Sequence, residues 1–454
     1  MGARPKLENG AGVTWPDALE KGSQYIRSAV RSATDRKLCI QPEPSAKSFY
    51  TKGIFMSGAK LPLAGLKVVE FTHMVMGPTV GVVMGDMGAD VIKIEPMGGD
   101  NTRRLKGSGA GYFPMYNRNK RSICLDLKST EGKKAALELI NRADVLVENF
   151  RPGAMDKLSF GYEALSKTNP RLIYCSEKGF LTGPYENRTA LDEVAQMMGG
   201  LAYMTGPPGR PLRAGASVID VTGGMFGVIG VLAALHERQS TGKGQMVTAS
   251  LFETTIYLVG QHMAQFAVTG SAANPMPARI SAWAIYDVFD TKDDDKVFVG
   301  VVSDTQWKQF CEAFGLKELG ADPTLAANNG RVAARDRLKP EIEKLFKTFT
   351  KAELMAKLET IGLPFAPIAK PHEMFDDPHL NAAGGLVPLT VVDGEKKGAK
   401  MKLPALPVEM GGKRFGVTHD IPRQGQHTRE VLTELGYSAA VVDAMMKAAQ
   451  AEGE

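Results

Sequence analysis

Cysteine is scarce: four residues in a chain of 454, Cys39, Cys124, Cys175 and Cys311, and no CxxC pair. That spacing excludes a disulfide scaffold and a cysteine-based zinc site, and reads as reduced thiols in a cytoplasmic protein. An excess of one charge is also lacking, since 55 Lys and Arg against 50 Asp and Glu leave +5. That balance suits an anionic small ligand and argues against a nucleic-acid partner. The longest apolar run, Gly224 to Leu235, is about half a membrane span, so a buried helix is expected and no membrane partner. The opening MGARPKLENGAG holds no apolar stretch of a secretory signal and no myristoylation pattern. No GxGxxG follows the first strand, and Walker A, HExxH and GxSxG are missing. The histidines, His73, His236, His262, His372, His379, His419 and His427, pair with no carboxylate or cysteine at ligand spacing. Neither a metal nor a resident cofactor is expected.

What is present is an ordinary globular composition, 43% hydrophobic and 23% charged, long enough for two or three domains. From Leu61, short apolar runs alternate with helical periods. LKVVEFT, DVIKIEP, SICLDL, DVLVENF, RLIYCSEKGF and GQMVTASL read as strands. Gly77-Pro78 opens a helix whose Gly81, Gly85 and Gly88 leave a bare face for close packing on the sheet. ASVID, residues 216 to 220, reads as another strand, running into a long apolar helix from Thr222. This alternation predicts a doubly wound α/β domain with a parallel sheet over residues 61 to 270. Residues 271 to 405 predict a smaller α+β domain, with hairpins turning at Asp293 to Asp295 and at Asp393-Gly394. Residues 406 to 454 predict paired helices joined at Gly436 that return to the large domain. Residues 1 to 60 form an extension with a possible amphipathic helix over 23 to 38.

Several segments carry a family resemblance. LAGLKVVEFT, MGADVIKIEP, YNRNKRSICLDLKSTEGK, ADVLVENFRPGAMDKLSFGYE and NPRLIYCSEKGF come first. LDEVAQMMGGL, ASVIDVTGGMFGVIGVLAALHER and TGKGQMV follow, and the tail has GQHTREVLTELGY. In this order and spacing the chain resembles class III CoA-transferases, the family of formyl-CoA transferase and its carnitine and bile-acid relatives. The resemblance implies a Rossmann-like large domain, an interlocked homodimer, and transfer of CoA from an acyl-CoA to a carboxylic acid, with CoA as substrate.

It also implies site residues. Asp220 falls where the family has its nucleophilic carboxylate, which would form an acyl anhydride and then an aspartyl-CoA thioester. As an isolated residue Asp220 suits a helix cap better than a nucleophile, and it is expected to be ionised at neutral pH. Asp192 either orients substrate or caps its helix. Leu191 replaces the Tyr of transferases and the His of racemases, which argues against an acyl-CoA racemase. Asn149, Phe150, Arg151, Lys157 and Leu158 match positions that hold CoA, with Lys120 and Arg121 as further cations for its phosphates. Met74, Val75 and Met76 follow the first strand and face the acyl group, together with Met197, Met198 and Met204. Formyl-CoA transferase has a glutamine in place of Val75. Valine there points to an oxyanion contact from a backbone N–H and to an acyl group larger than formyl or oxalyl, such as a succinyl or mesaconyl group. Arg188 or Arg213 would meet its free carboxylate. A non-catalytic CoA-binding subunit of a heteromeric transferase is the alternative from another class, and retention of Asp220 counts against it.

Overall fold

Six short strands made of Val, Ile and Leu build one parallel sheet: Lys67–Phe71 (β1), Asp90–Glu95 (β2), Lys120–Cys124 (β3), Val145–Glu148 (β4), Ile173–Lys178 (β5) and Met246–Ser250 (β6). Their order is β3-β2-β1-β4-β5-β6. The computed structural model describes Phe55, residues 61–279 and residues 281–451. The N-terminal extension, apart from Phe55, lies outside the described residues, as does Cys39. All described residues belong to one compact unit, Lys52–Glu454.

Buried strands explain the apolar runs, because helices cover both faces of a parallel sheet. One face carries Thr130–Arg142 (α1), where Ser129 caps the first turn by accepting the N–H of Gly132. The tail helices, Thr428–Glu434 and Ala439–Ala451, join this face through Val431, Leu432 and Val442. The other face holds Met76–Asp86 (α2) against Val218–Thr241 (α3). The glycine face of α2 proves necessary at Gly81, where a Cβ would stand 1.8 Å from the buried Glu70 carboxylate. Helix α3 is long and apolar enough to cross a membrane. Here its Val228, Val231 and Ala234 instead join the core beneath the sheet.

Two expectations need correction. ASVID is not a strand: the helix begins at Val218, four residues before Thr222. A second long helix, Leu251–Thr269 (α4), follows β6 directly, and the periodicity does not announce it.

A second core forms around Trp307, Phe310, Leu338, Ile342 and Phe346. It packs beneath the hairpin Tyr286–Asp290 (β7) and Lys296–Gly300 (β8), which turns where expected. Phe365–Pro367 (β9) adds a third strand to β8. The hairpin Leu386–Thr390 (β10) with Lys400–Pro404 (β11) is also present. Its Val387 and Leu389 pack with Phe113 and Ile421.

Candidate active site

In an open parallel sheet, ligands bind where the strand order reverses, beyond the carboxyl ends of the strands. Here that point lies between β1 and β4. Asn149, just past β4, clamps the loop after β1: its Oδ1 accepts the His73 N–H at 3.0 Å and its Nδ2 donates to His73 O at 2.9 Å. The next residue, Met74, is held in the left-handed region at φ 61°, with its N–H donated to Thr102 Oγ1 at 3.0 Å. Beyond these loops opens a cleft of about 580 Å³, of the size that small-molecule sites have.

Met74, Met76, Asn149, Phe150, Arg151 and Asp192 of the expected set line this cleft, with Asp220 in its wall. Lys157 and Leu158 lie outside it. Lys157 is exposed, and Leu158 packs on the core around Val69 and Phe71. Val75 does not face the cleft either: its side chain is 1% exposed, inside the protein. The left-handed turn at Met74 directs alternate residues of the loop to the cleft and Val75 inward. The inference from Val75 to acyl size therefore loses its basis. Helix α2 has no side-chain cap, and the N–H groups of its first residues, Met76 and Gly77, have no intrahelical acceptor.

Lys120 is not a phosphate cation. It is fully buried and donates to Glu70 at 2.8 and 3.0 Å and to Pro78 O at 3.0 Å. Burial lowers it to about 8. Arg121 is bound to Asp90, Glu430 and Glu434, around a different depression from the cleft. Met197 and Met198 are exposed, and Met204 is buried. None of the three lines the cleft.

Asp220 is the third residue of α3, and the first turn of that helix is anchored from a distance. Asp192, at the start of Asp192–Met198 (α5), directs Oδ2 to the N–H of Ile219 at 2.9 Å and of Asp220 at 3.2 Å. Asp192 thus caps a helix, but α3 rather than its own. Gln196 Nε2 donates to its other oxygen at 2.6 Å, and Arg213 lies 3.4 Å from it. Burial pushes Asp220 up to about 7, the Asp192 charge pushes it the same way, and Arg213 opposes both. The expectation of an untuned aspartate fails because the cleft strips water from it and places a second carboxylate nearby. The same Asp220 charge, after burial, helps to raise Tyr116 to about 12.

Sequence reasoning missed two groups. Lys178, at the end of β5, lines the cleft and holds Glu148 at 2.6 Å and Phe150 O at 3.0 Å. Its neighbour Glu177 also lines the cleft. Both sit at a carboxyl strand end, which is the signal that finds such residues. Of the two arginines expected to meet a carboxylate, Arg213 is engaged by Glu193 at 2.9 Å and by Asp192. Arg188 lines the cleft 5.0 Å from the Tyr185 ring, with no carboxylate partner among the described residues. Among the described residues no group of three or more His, Cys, Asp or Glu is placed to hold a metal ion.

The chain is similar to known proteins over most of its length. The model of CoA-transferase family III matches residues 63–428. Acetyl-CoA:oxalate CoA-transferase of Acetobacter aceti is 37% identical over 360 residues, 78% of this chain and 90% of that one. Succinate–glutarate CoA-transferase of Agrobacterium fabrum is 33% identical over 395 residues, 84% of this chain and 97% of that one. A solved CAIB/BAIF family protein from Brucella suis superposes with a TM-score of 0.72 at 33% identity, over 83% of this chain and 100% of that one.

Proposed function

The chain belongs to CoA-transferase family III, and from that premise we infer that it moves CoA between dicarboxylic acids through a covalent relay on Asp220. The observation that carries this reading is a half-buried carboxylate, Asp220, in the wall of a cleft formed at the reversal point of the sheet.

The residues suit the chemistry. An Asp220 oxygen attacks the acyl-CoA thioester, expelling CoA thiolate and leaving a mixed anhydride. The thiolate then attacks the Asp220 carbonyl carbon, expelling the first acid as its carboxylate and leaving an aspartyl-CoA thioester. The incoming carboxylate runs both steps in reverse. No net proton moves, so an aspartate balanced near neutrality can serve as nucleophile and leaving group. The free N–H groups at the start of α2 suit the thioester oxyanion. Asn149, Phe150, Arg151 and Lys178 form the wall where the pantetheine and phosphates would lie, and Arg188 suits the distal carboxylate of a dicarboxylic acyl group.

A second copy of the chain is part of the same reading. Helix α4 leaves Tyr257, Met263 and Phe266 exposed, α3 leaves Met225 and Ile229, and α5 leaves Val194 and Met197. Apolar exposure on three neighbouring helices supports a homodimer contact. A cytoplasmic location fits the free, buried thiols of Cys124, Cys175 and Cys311.

The test is a mass-spectrometric screen of the purified protein with succinyl-CoA and a panel of carboxylic acids. New acyl-CoA products from C4 or C5 dicarboxylates support the reading, and exchange only with monocarboxylates refutes the dicarboxylate assignment. Sedimentation is expected to give a dimer, and a stable, active monomer would refute that part.

A further inference from the structure

Gln196 does not line the cleft, yet its contacts reach the backbone of the nucleophile. It lies on α5 and is fully buried, 0% exposed. Its amide has a partner on each side: Nε2 donates to Asp192 Oδ1 at 2.6 Å, and Oε1 accepts the Ala214 N–H at 2.8 Å. The two contacts fix the orientation of the amide, since a flipped one would set its oxygen against the carboxylate and its NH2 group against an N–H. Burying an amide is unfavourable unless it is paired, and a paired one holds its partners in a single geometry.

Those partners stand at the two ends of one segment. The chain from Ala214 to Asp220 leads from a loop into the first turn of α3. The backbone of Gly215 to Val218 makes no hydrogen bond to another element among the described residues, and Ser217 gives the helix no side-chain cap. Gln196 holds the Ala214 end. Asp192 holds the other end, by accepting the N–H groups of Ile219 and Asp220 at 2.9 and 3.2 Å. Because Gln196 also holds Asp192, one amide ties both ends of the segment to α5. That helix is itself anchored. Ala195 packs in a core with Met76, Ile219 and Leu251, and at Gly199 a Cβ would stand 2.4 Å from the Thr255 side chain on α4.

We propose that Gln196 is a positioning residue for Asp220, acting through Asp192 and Ala214 and touching no substrate. This rests on the relay assigned to Asp220 above. The relay uses an Asp220 oxygen as nucleophile in its first step and the Asp220 carbonyl carbon as electrophile in its second. One side chain must therefore present first an oxygen and then a carbon to a substrate held by a separate wall, that of Asn149, Phe150 and Arg151. A misplacement of about 1 Å between reacting groups can cost on the order of 10²-fold in rate. The segment that carries Asp220 has a glycine at 215 and no cap of its own, so the clamp from α5 sets where the carboxyl stands.

The experiment compares wild type, Gln196→Met and Gln196→Glu in steady-state CoA transfer from succinyl-CoA, with thermal melts to confirm folding. Methionine keeps the length and bulk of the side chain and loses both hydrogen bonds. We expect Gln196→Met to lose roughly 10- to 100-fold in kcat, with KM for succinyl-CoA within about threefold of wild type. In Gln196→Glu the carboxyl can accept the Ala214 N–H and, only while protonated, donate to Asp192. The charges around it are Asp192 itself and, about that carboxylate, Arg213, Glu193 and Asp220. Raising the pH strips its proton and sets two anions together, so its kcat relative to wild type should be within about tenfold at pH 6 and fall toward that of Gln196→Met by about pH 9. Activity of Gln196→Met within about threefold of wild type overturns the proposal, as does a raised KM at unchanged kcat. If Gln196→Met fails to fold, the pH profile of Gln196→Glu against wild type decides alone, and a ratio that does not change with pH overturns the proposal. Absence of turnover in wild type with every acid removes the transferase reading and this inference with it. Turnover by wild type and Gln196→Met alike removes only this inference.

Discussion

Asp192 Oδ2 accepts the backbone N–H groups of Ile219 and Asp220 at 2.9 and 3.2 Å, so one carboxylate starts the helix that carries the other. The contact joins structure to chemistry. It fixes the backbone of the nucleophile, and its charge helps to keep the Asp220 carboxylate from ionising early.

Asp192→Asn tests that dual role. The amide keeps one oxygen acceptor and removes the charge, so Asp220 should ionise more easily. The acid limb of the kcat/KM profile should move to lower pH by up to about one unit, since burial, the larger cause, remains. A limb that stays in place or rises contradicts the coupling.

Stability should depend on pH through the same cleft. Asp220 is raised to about 7 and Glu177 to about 8, so between about pH 4 and 8 the native state holds protons that the unfolded chain has released. The stability contributed by these two groups is then full below about pH 4, falls as pH rises through that window, and levels above it. Asp220→Asn should remove part of this loss, stabilising the protein by on the order of 2 kcal/mol at pH 8 and by little at pH 4. Thermal melts at the two pH values measure it. Equal gains at both would contradict the linkage.

Lys120 and Arg151 should separate fold from ligand. Lys120 and Glu70 form a buried pair at 2.8 Å, so Lys120→Ala leaves a buried charge and should cost about 3–5 kcal/mol. Arg151, in the cleft, should raise the KM for acyl-CoA by roughly 10-fold or more when changed to Ala, at one charge-assisted contact of about 1.5–3 kcal/mol, with little effect on melting. Denaturant titration and steady-state kinetics on both variants check the pair of outcomes, and a reversed pattern would return Lys120 to the binding site.

Val75→Gln should leave the preference among formyl, oxalyl and succinyl donors unchanged. The side chain points into the protein, where an unpaired amide costs about 1–3 kcal/mol of stability. A shift of preference toward formyl-CoA would show that the side chain reaches the acyl group.

Much of the fold was legible because its signals are local. Val68-Val69, Val91-Ile92 and Val145-Leu146 are strand cores bounded by polar or glycine-bearing turns. Their alternation with helices places Asn149, Phe150 and Arg151 at a carboxyl strand end, where the cleft is found. The start of α3 was not legible, because Val218 and Ile219 have strand character and their cap comes from Asp192 in a different helix. Lys120 reads as a surface cation in NRNKRS, since its partner Glu70 is 50 residues away. Val75 sits between two cleft residues, and only the left-handed backbone at Met74 decides which way it points. Glu177 reads as an ordinary strand-end acid, because neither its burial nor Gly227 opposite it is a local property.

Trapping the covalent relay is the most direct test of the central claim. The protein is incubated with succinyl-CoA and hydroxylamine, digested and mapped by mass spectrometry, with Asp220→Ala treated in parallel. The expected result is a hydroxamate on Asp220 alone, together with at least about a 10³-fold loss of CoA transfer in the alanine variant. A label on Asp192 or Glu177, or sustained transfer by a folded Asp220→Ala protein, would contradict it.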